Sequence, residues 1–273
     1  MTDTFPTPAP VDLTVHNASG TITVTAADTD TSTVEVEPID SSAEAAELAG
    51  RTTATLAGER LVVGVPERRG LLGFRPYRVA VRVTVPTGSR VTTKAASASV
   101  TCAGRFGAVT VHTASGDASV DDVDGDVELH AASGRLRLRS GGRVKANTAS
   151  GKVEVGKATG DVEVHAASGE VRIGVAEASV RVKTASGRVS IEEARQGTVD
   201  LQAASGDLQV GVRSGVVARL DLNTVSGRVR SELPVEDSRP EEGAPLKIRA
   251  RTVSGDLLVV AASARASDPG ART

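Results

Sequence analysis

Gly125-Asp-Val-Glu-Leu-His-Ala-Ala-Ser-Gly-Arg-Leu-Arg-Leu-Arg-Ser-Gly-Gly142 is the stretch that decides the fold. On either side of the Ala132-Ser133-Gly134 corner, apolar and polar residues alternate, the period-two signature of a strand with one buried face. Glycine after the serine supplies the positive φ of a tight corner, which other residues adopt only at a cost.

The same tripeptide, or a close variant, recurs at Ser19, Ser97, Ser115, Ser133, Ser150, Ser168, Ser186, Ser205, Ser226 and Ser254. From Ser97 the steps are 18, 18, 17, 18, 18, 19, 21 and 28 residues. A unit of about eighteen residues cannot bury its own apolar face, so its stability has to come from stacking on neighbours. Superposing the units gives apolar columns. Three residues after serine run Ala118, Leu136, Val153, Val171, Val189, Leu208, Val229 and Leu257. Five after run Cys102, Val120, Leu138, Val155, Ile173, Ile191 and Val210, with Ser231 the one polar member. The preceding strand adds pairs such as Val127 with Leu129, Val162 with Val164 and Leu220 with Leu222. Outward columns carry charge of mostly alternating sign: Asp117, Arg135, Lys152, Glu170, Arg188, Asp207, Arg228, Asp256. Opposite charges on adjacent strands help and like charges hurt. The expectation is an all-β, single-domain parallel β-helix or β-solenoid of about nine rungs, with consecutive units lying on one another in chain order.

The rest of the chain is read around this stack. Residues 1–11 read as a disordered N-terminus and 12–93 as a β-rich capping region. The cap holds one repeat-like hairpin (Val15 to Val24), a short helical patch (Ser41 to Ala49) and strands near Val34 to Val36, Arg60 to Val65 and Tyr77 to Val85. The repeat domain spans 94–260, interrupted by an irregular acidic loop at 231–245, and 261–273 reads as a disordered tail.

Composition narrows the function. Only Phe5, Phe74, Phe106 and Tyr77 are aromatic, so the core is built from Val, Leu, Ile and Ala. The net charge of −2 gives no overall preference for nucleic acid, and basic residues alternate with acidic ones instead of forming a stripe. A single cysteine, Cys102, rules out an internal disulfide and a Cys-cluster zinc site. No signal peptide or membrane-spanning run is visible, so the sequence reads as cytoplasmic; it allows envelope association through a partner, and allows membrane contact without pointing to it.

The sequence resembles the bacterial β-strand-repeat family of unknown function labelled "putative adhesin". The resemblance rests on V-H-N-A-S-G-T-I-T-V (Val15 to Val24), V-R-V-T-V-P-T-G-S (Val81 to Ser89) and the S-G-x-V-x-V units from Ser115 onward, and covers roughly residues 10 to 260. It implies a β-helical fold and a role in adhesion or at the cell envelope, with no catalytic residues to carry over.

Candidate sites are few. All four histidines, His16, His112, His130 and His165, fall three residues before a repeat serine, in a column that elsewhere holds Lys94, Asn147, Lys183, Gln202, Asn223 and Arg251. This reads as an outward polar position, not a metal site, since two surface imidazoles without a third ligand bind weakly. The pairs Ser115 and Gly116, Ser133 and Gly134, Ser150 and Gly151, Ser168 and Gly169, Ser186 and Gly187, and Ser205 and Gly206 read as structural turns in which serine satisfies backbone groups. A nucleophile is normally singular and paired with a base, and these are neither. Cys102 sits in an inward column as a small hydrophobe. The S-G-D turns lack the calcium β-roll pattern, and no cofactor is implied. Leu71, Leu72, Phe74 and Tyr77 lie in a Gly- and Arg-rich connection suited to a partner surface, or to a hairpin tip folded over the open end of the stack; the cap is preferred.

Two functions follow. One is a non-catalytic module that binds another protein, or its own copy, through its faces or its end. The other is a carbohydrate-active β-helix enzyme, disfavoured because short corners and scarce aromatics leave no sugar-stacking cleft.

Overall fold

The computed structural model describes residues 1–66, 78–233 and 246–262. The acidic loop, apart from its first three residues, the C-terminal tail beyond residue 262, and Leu71, Leu72, Phe74 and Tyr77 therefore lie outside the described residues. The chain is all-β, and among the described residues one helix accompanies twenty strands that join in a single hydrogen-bonded sheet. The first part contains β1 (Thr2–Pro6), β2 (Asp12–Ala27), β3 (Thr31–Pro38), α1 (Ala43–Gly50), β4 (Thr53–Ala57), β5 (Arg60–Gly64), β6 (Val79–Pro86) and β7 (Arg90–Phe106). The repeats supply β8 (Ala108–Ser115), β9 (Ala118–Val123), β10 (Val127–Gly141), β11 (Val144–Ala158), β12 (Val162–Ala176), β13 (Val180–Ser186), β14 (Val189–Ala194), β15 (Gly197–Ser205) and β16 (Leu208–Val212). The last units are β17 (Ala218–Ser226), β18 (Val229–Ser231), β19 (Leu246–Ser254) and β20 (Leu257–Ala261).

The central units pair in parallel and in register. Ser133 aligns with Ser150 and Ser150 with Ser168, and Gly134, Gly151 and Gly169 follow them. Leu136, Val153, Val171, Val189 and Leu208 are each at most 2% exposed, and Val127, Val144, Val162, Val180 and Val199 match them on the preceding strand. This is the continuous apolar interior that the alternating pattern requires. Layers approach closely at the corners: Gly169 has φ +134°, and a Cβ there would lie 1.8 Å from the Gly151 carbonyl oxygen. Any larger residue would force the layers apart, which is why glycine recurs.

The corners are not all alike, and the expectation of one turn type with glycine at positive φ is corrected here. At Gly134, Gly151 and Gly169 the backbone bends without leaving the strand, since β10, β11 and β12 run through the corner. At Gly116, Gly187 and Gly206 the strand stops on the preceding serine and resumes two residues beyond the glycine, where β9, β14 and β16 begin. Gly187 and Gly206 keep the positive φ, +136° at each, whereas Gly116 lies outside that region. Contact with the layer below is what the three share. A Cβ would fall 2.2 Å from the Ala98 carbonyl oxygen at Gly116, 1.8 Å from that of Gly169 at Gly187, and 1.9 Å from that of Gly187 at Gly206. At Gly116, therefore, close backbone approach and not a left-handed conformation requires glycine.

Chain order fails at both ends of the stack. β19 pairs with β15 on one side and with β17 on the other, so the Ser254 unit lies between the Ser205 and Ser226 units. The expectation of strictly consecutive stacking is corrected by this pairing, and the residues supply the reason. Leu246, Ile248, Leu257 and Val259 are all apolar and at most 1% exposed, a layer fit for an interior slot. The Ser226 unit carries Ser231 in an inward column; buried there, its hydroxyl would be desolvated without a partner, whereas on the outermost layer it is exposed. Charge agrees on the column five residues before serine. In spatial order it runs Glu128, Lys145, Glu163, Arg181, Asp200, Arg249, Asp221, alternating at every step. Chain order would have put Asp221 against Asp200. The column two after serine does the opposite, bringing Asp207 beside Asp256, but there Asp207 Oδ1 accepts the Asp256 backbone N–H at 3.1 Å.

The N-terminal end mirrors this. β2 pairs in parallel with β7, aligning Ser19 with Ser97, and on its other side with β5 and β6. The Val15 to Val24 segment, expected as a hairpin, lies instead within the single continuous strand β2 and forms a layer of the stack. Residues expected to be disordered at the N-terminus form β1, which pairs antiparallel with β3. β3 in turn borders β6, and β4 borders β5, both antiparallel. Helix α1 begins where Ser42 Oγ accepts the Ala45 backbone N–H at 3.2 Å, and it buries Ala45 and Ala49.

Candidate functional site

An open groove of about 1070 Å³ runs across the layers beside the corner ladder. Its floor is the alanine before each repeat serine: Ala114, Ala132, Ala149, Ala167, Ala185 and Ala204, all exposed. Its rim is the polar column three before serine, with His112, His130, Asn147, His165, Lys183 and Gln202. In-register pairing places the members of each column about 4.8 Å apart along the stack. The result is a band of methyl groups flanked by hydrogen-bonding tips. The alanine of the A-S-G corner thus faces outward, and its recurrence at the position before the serine is the signal that the sequence carries for this surface.

The histidines are only partly gathered. His112 and His130 stack with ring centroids 4.8 Å apart and planes 8° from parallel. Stacked rings direct their lone pairs side by side, whereas a shared ion needs them to converge at about 2 Å. Asn147 Nδ2 donates to His130 Nδ1 at 3.2 Å, and His165 Nε2 pairs with Glu163 at 3.0 Å. That bond from His165 holds the Glu163 carboxyl below its usual range. His112 is lowered from its ordinary 6.5, first by desolvation and then by His130 and Lys94, against an opposing effect of Glu128. His16 lies farther along, in the β2 layer opposite Lys94.

The corner serines do less bonding than expected. Ser133 Oγ reaches Ser115 Oγ at 3.5 Å, and Ser168 Oγ donates to the Ala149 carbonyl at 3.4 Å. Backbone groups are satisfied more by neighbours on either side. Thr148, Thr184 and Thr252 each donate to the carbonyl of the serine two residues on, while Asp117 and Asp256 accept backbone N–H groups of Arg135 and Arg228, both at 2.8 Å. At three of the broken corners the glycine itself joins the ladder, Gly187 N–H donating to the Ser205 carbonyl at 3.0 Å, Gly206 N–H to that of Ser254 at 2.8 Å and Gly255 N–H to that of Ser226 at 2.9 Å. Cys102 is buried, and desolvation, with Asp121 adding, pushes its thiol up to about 12. On β11 beyond the Ser150 corner, Lys152 Nζ lies 2.6 Å from Glu154, and its hydrogen bond, aided by Arg137, holds that carboxyl low.

The Toastrack DUF4097 model matches residues 11–267, nearly the whole chain. The chain belongs to the Toastrack DUF4097 family. Among solved structures, a putative adhesin from Bacteroides fragilis is 9% identical, with a TM-score of 0.50, covering 95% of this chain and 96% of its own. This likeness bears on the fold alone. A putative adhesin from Parabacteroides distasonis (11% identity, TM-score 0.38) and a putative lipid binding protein from the same species (11%, 0.31) each align over 95% or more of both chains, at scores too low to support an argument. No curated protein matches. Within the described residues no helix is long and apolar enough to cross a membrane.

Proposed function

We propose that this Toastrack protein is a β-solenoid of about nine rungs with a β-rich N-terminal cap, acting as a non-catalytic, adhesin-like interaction or scaffolding module. The rung number counts Ser97 to Ser254; alignment of Ser19 with Ser97 argues for one further A-S-G layer. The observation that carries the functional reading is the groove. Its alanine floor presents a shallow apolar track, and its rim column contains imidazole, amide and cationic tips without a carboxylate among the described residues. Such a track fits an extended protein segment that lays small side chains on the floor and offers acceptors to the rim. The serines argue for binding over chemistry, since Ser133 and Ser168 meet a hydroxyl and a carbonyl, not a base. The partner is a protein or another copy of the chain, and any place at the cell envelope is held through it.

Affinity capture from native cells, comparing wild type with the double variant Ala149→Glu and Ala167→Glu, tests this. Both alanines are exposed, so folding is retained. The variant is expected to lose the wild-type partners. An unchanged partner profile from folded variant rejects the groove as the binding surface.

A further inference from the structure

The two ends of the stack are unlike. At the N-terminal end, β5 and β6 are bordered by antiparallel β4 and β3, and β1 extends the sheet further. At the other end, β17 and β18 have pairing partners on one side only among the described residues, namely β19 and β20. Among the described residues, nothing pairs with the backbone donors and acceptors of their outer edge, the condition under which strands recruit another chain. Apolar exposure concentrates at the same place: Val217 is 60% exposed, Val225 79% and Val229 49%. Leu220 and Leu222, whose counterparts in inner layers are fully covered, are only partly buried.

Charge selects the occupant. The alternating column ends on Asp221, which already has Arg251 at 3.4 Å on its inner side. A further layer continuing the alternation would place a cation outside Asp221. β17 carries such a cation two residues away on the same face, Arg219. An antiparallel second copy of β17 paired about Leu220 sets Arg219 opposite Asp221 twice, Ala218 opposite Leu222 twice, and Leu220 against itself. Pairing about Asp221 would set two carboxylates face to face. Pairing about Leu222 would leave Arg219 opposite Val225 and Asp221 opposite Asn223. Only the first register satisfies both charges while keeping inward residues inward.

We infer that β17 is a homodimerisation edge: two copies join end to end through an antiparallel, two-fold β17 pair centred on Leu220. Such a contact is isologous and closes after two chains. It narrows the binding-module reading to a definite partner, and it does not depend on the groove.

Light scattering on the full chain is expected to give twice the 27.8 kDa chain mass. The register is read by cysteine pairing. An equimolar mixture of Arg219→Cys chains and Asp221→Cys chains, mildly oxidised, should give several-fold more disulfide-linked dimer than either variant alone. Opposed residues lie within disulfide reach, whereas self-pairs in this register are diagonal and too far apart. Both positions are exposed, circular dichroism verifies the fold of each variant, and native Cys102 is buried. A monomeric mass overturns the proposal, as when the chain's own residues cover the edge. So does a dimer whose cross-linking is no better in the mixture than in the separate variants. Failure of the groove variants to lose partners would leave either outcome unaffected.

Discussion

Replacing Gly169 by alanine tests the stacking at one of its two tightest corners, the other being Gly187. Two costs are added at that position. With φ at +134°, an L-residue is held in a sparsely populated conformation, which costs about 1–3 kcal/mol. The new Cβ would also lie 1.8 Å from the Gly151 carbonyl oxygen, which is backbone and cannot swing aside. Relief requires parting β11 from β12 at the corner and loosening the ladder hydrogen bonds there, each worth about 0.5–1.5 kcal/mol. A total near 3–5 kcal/mol follows. Gly58→Ala is the control, because Gly58 also has positive φ, +61°, but nothing lies within 4 Å of its would-be Cβ. That variant should lose only the conformational term, roughly 1–2 kcal/mol. The assay is guanidinium unfolding followed by far-UV circular dichroism, with midpoints and slopes compared. If Gly169→Ala costs no more than Gly58→Ala, the layers do not touch at the corner and the stacked interior is wrong.

Cys102 should resist a thiol reagent in the folded protein at pH 8 and react promptly in denaturant, because its buried thiol is pushed up to about 12; fast native labelling would place it outside the core. Stability should fall on acidification through His112. Its folded pKa is lowered, so the unfolded chain binds the proton more readily; the contribution is complete above the ordinary value of 6.5 and is lost as pH drops toward and through the folded pKa. His112→Asn, which puts the side chain of Asn147 into the same column, should flatten that part of the pH profile of unfolding, and an unchanged profile would assign it elsewhere. Arg249→Asp sets three carboxylates in succession with Asp200 and Asp221, and should lower stability by roughly 0.5–1 kcal/mol, less in high salt; a neutral result would remove charge as a reason for the displaced unit.

The sequence by itself determined which residues face inward. Strict alternation around each A-S-G corner left little choice of face for Val153, Val171 or Leu208, and the recurring glycine admitted only close stacking of like corners. It also carried the family resemblance. What lay beyond it was adjacency. Periodicity describes one unit at a time and is indifferent to which unit comes next, so it could not place the Leu246 to Ala261 segment between the Ser205 and Ser226 units or thread Asp12 to Ala27 between segments far along the chain. Nor could an identical tripeptide tell the corners that stay in the strand, as at Gly151, from those that break it, as at Gly116. Those choices belong to the assembled stack, where interior slots take fully apolar layers and the outermost slot accepts Ser231 in contact with water. The groove has the same origin: a single exposed alanine is unremarkable in sequence, and only in-register stacking turns a series of them into a continuous surface.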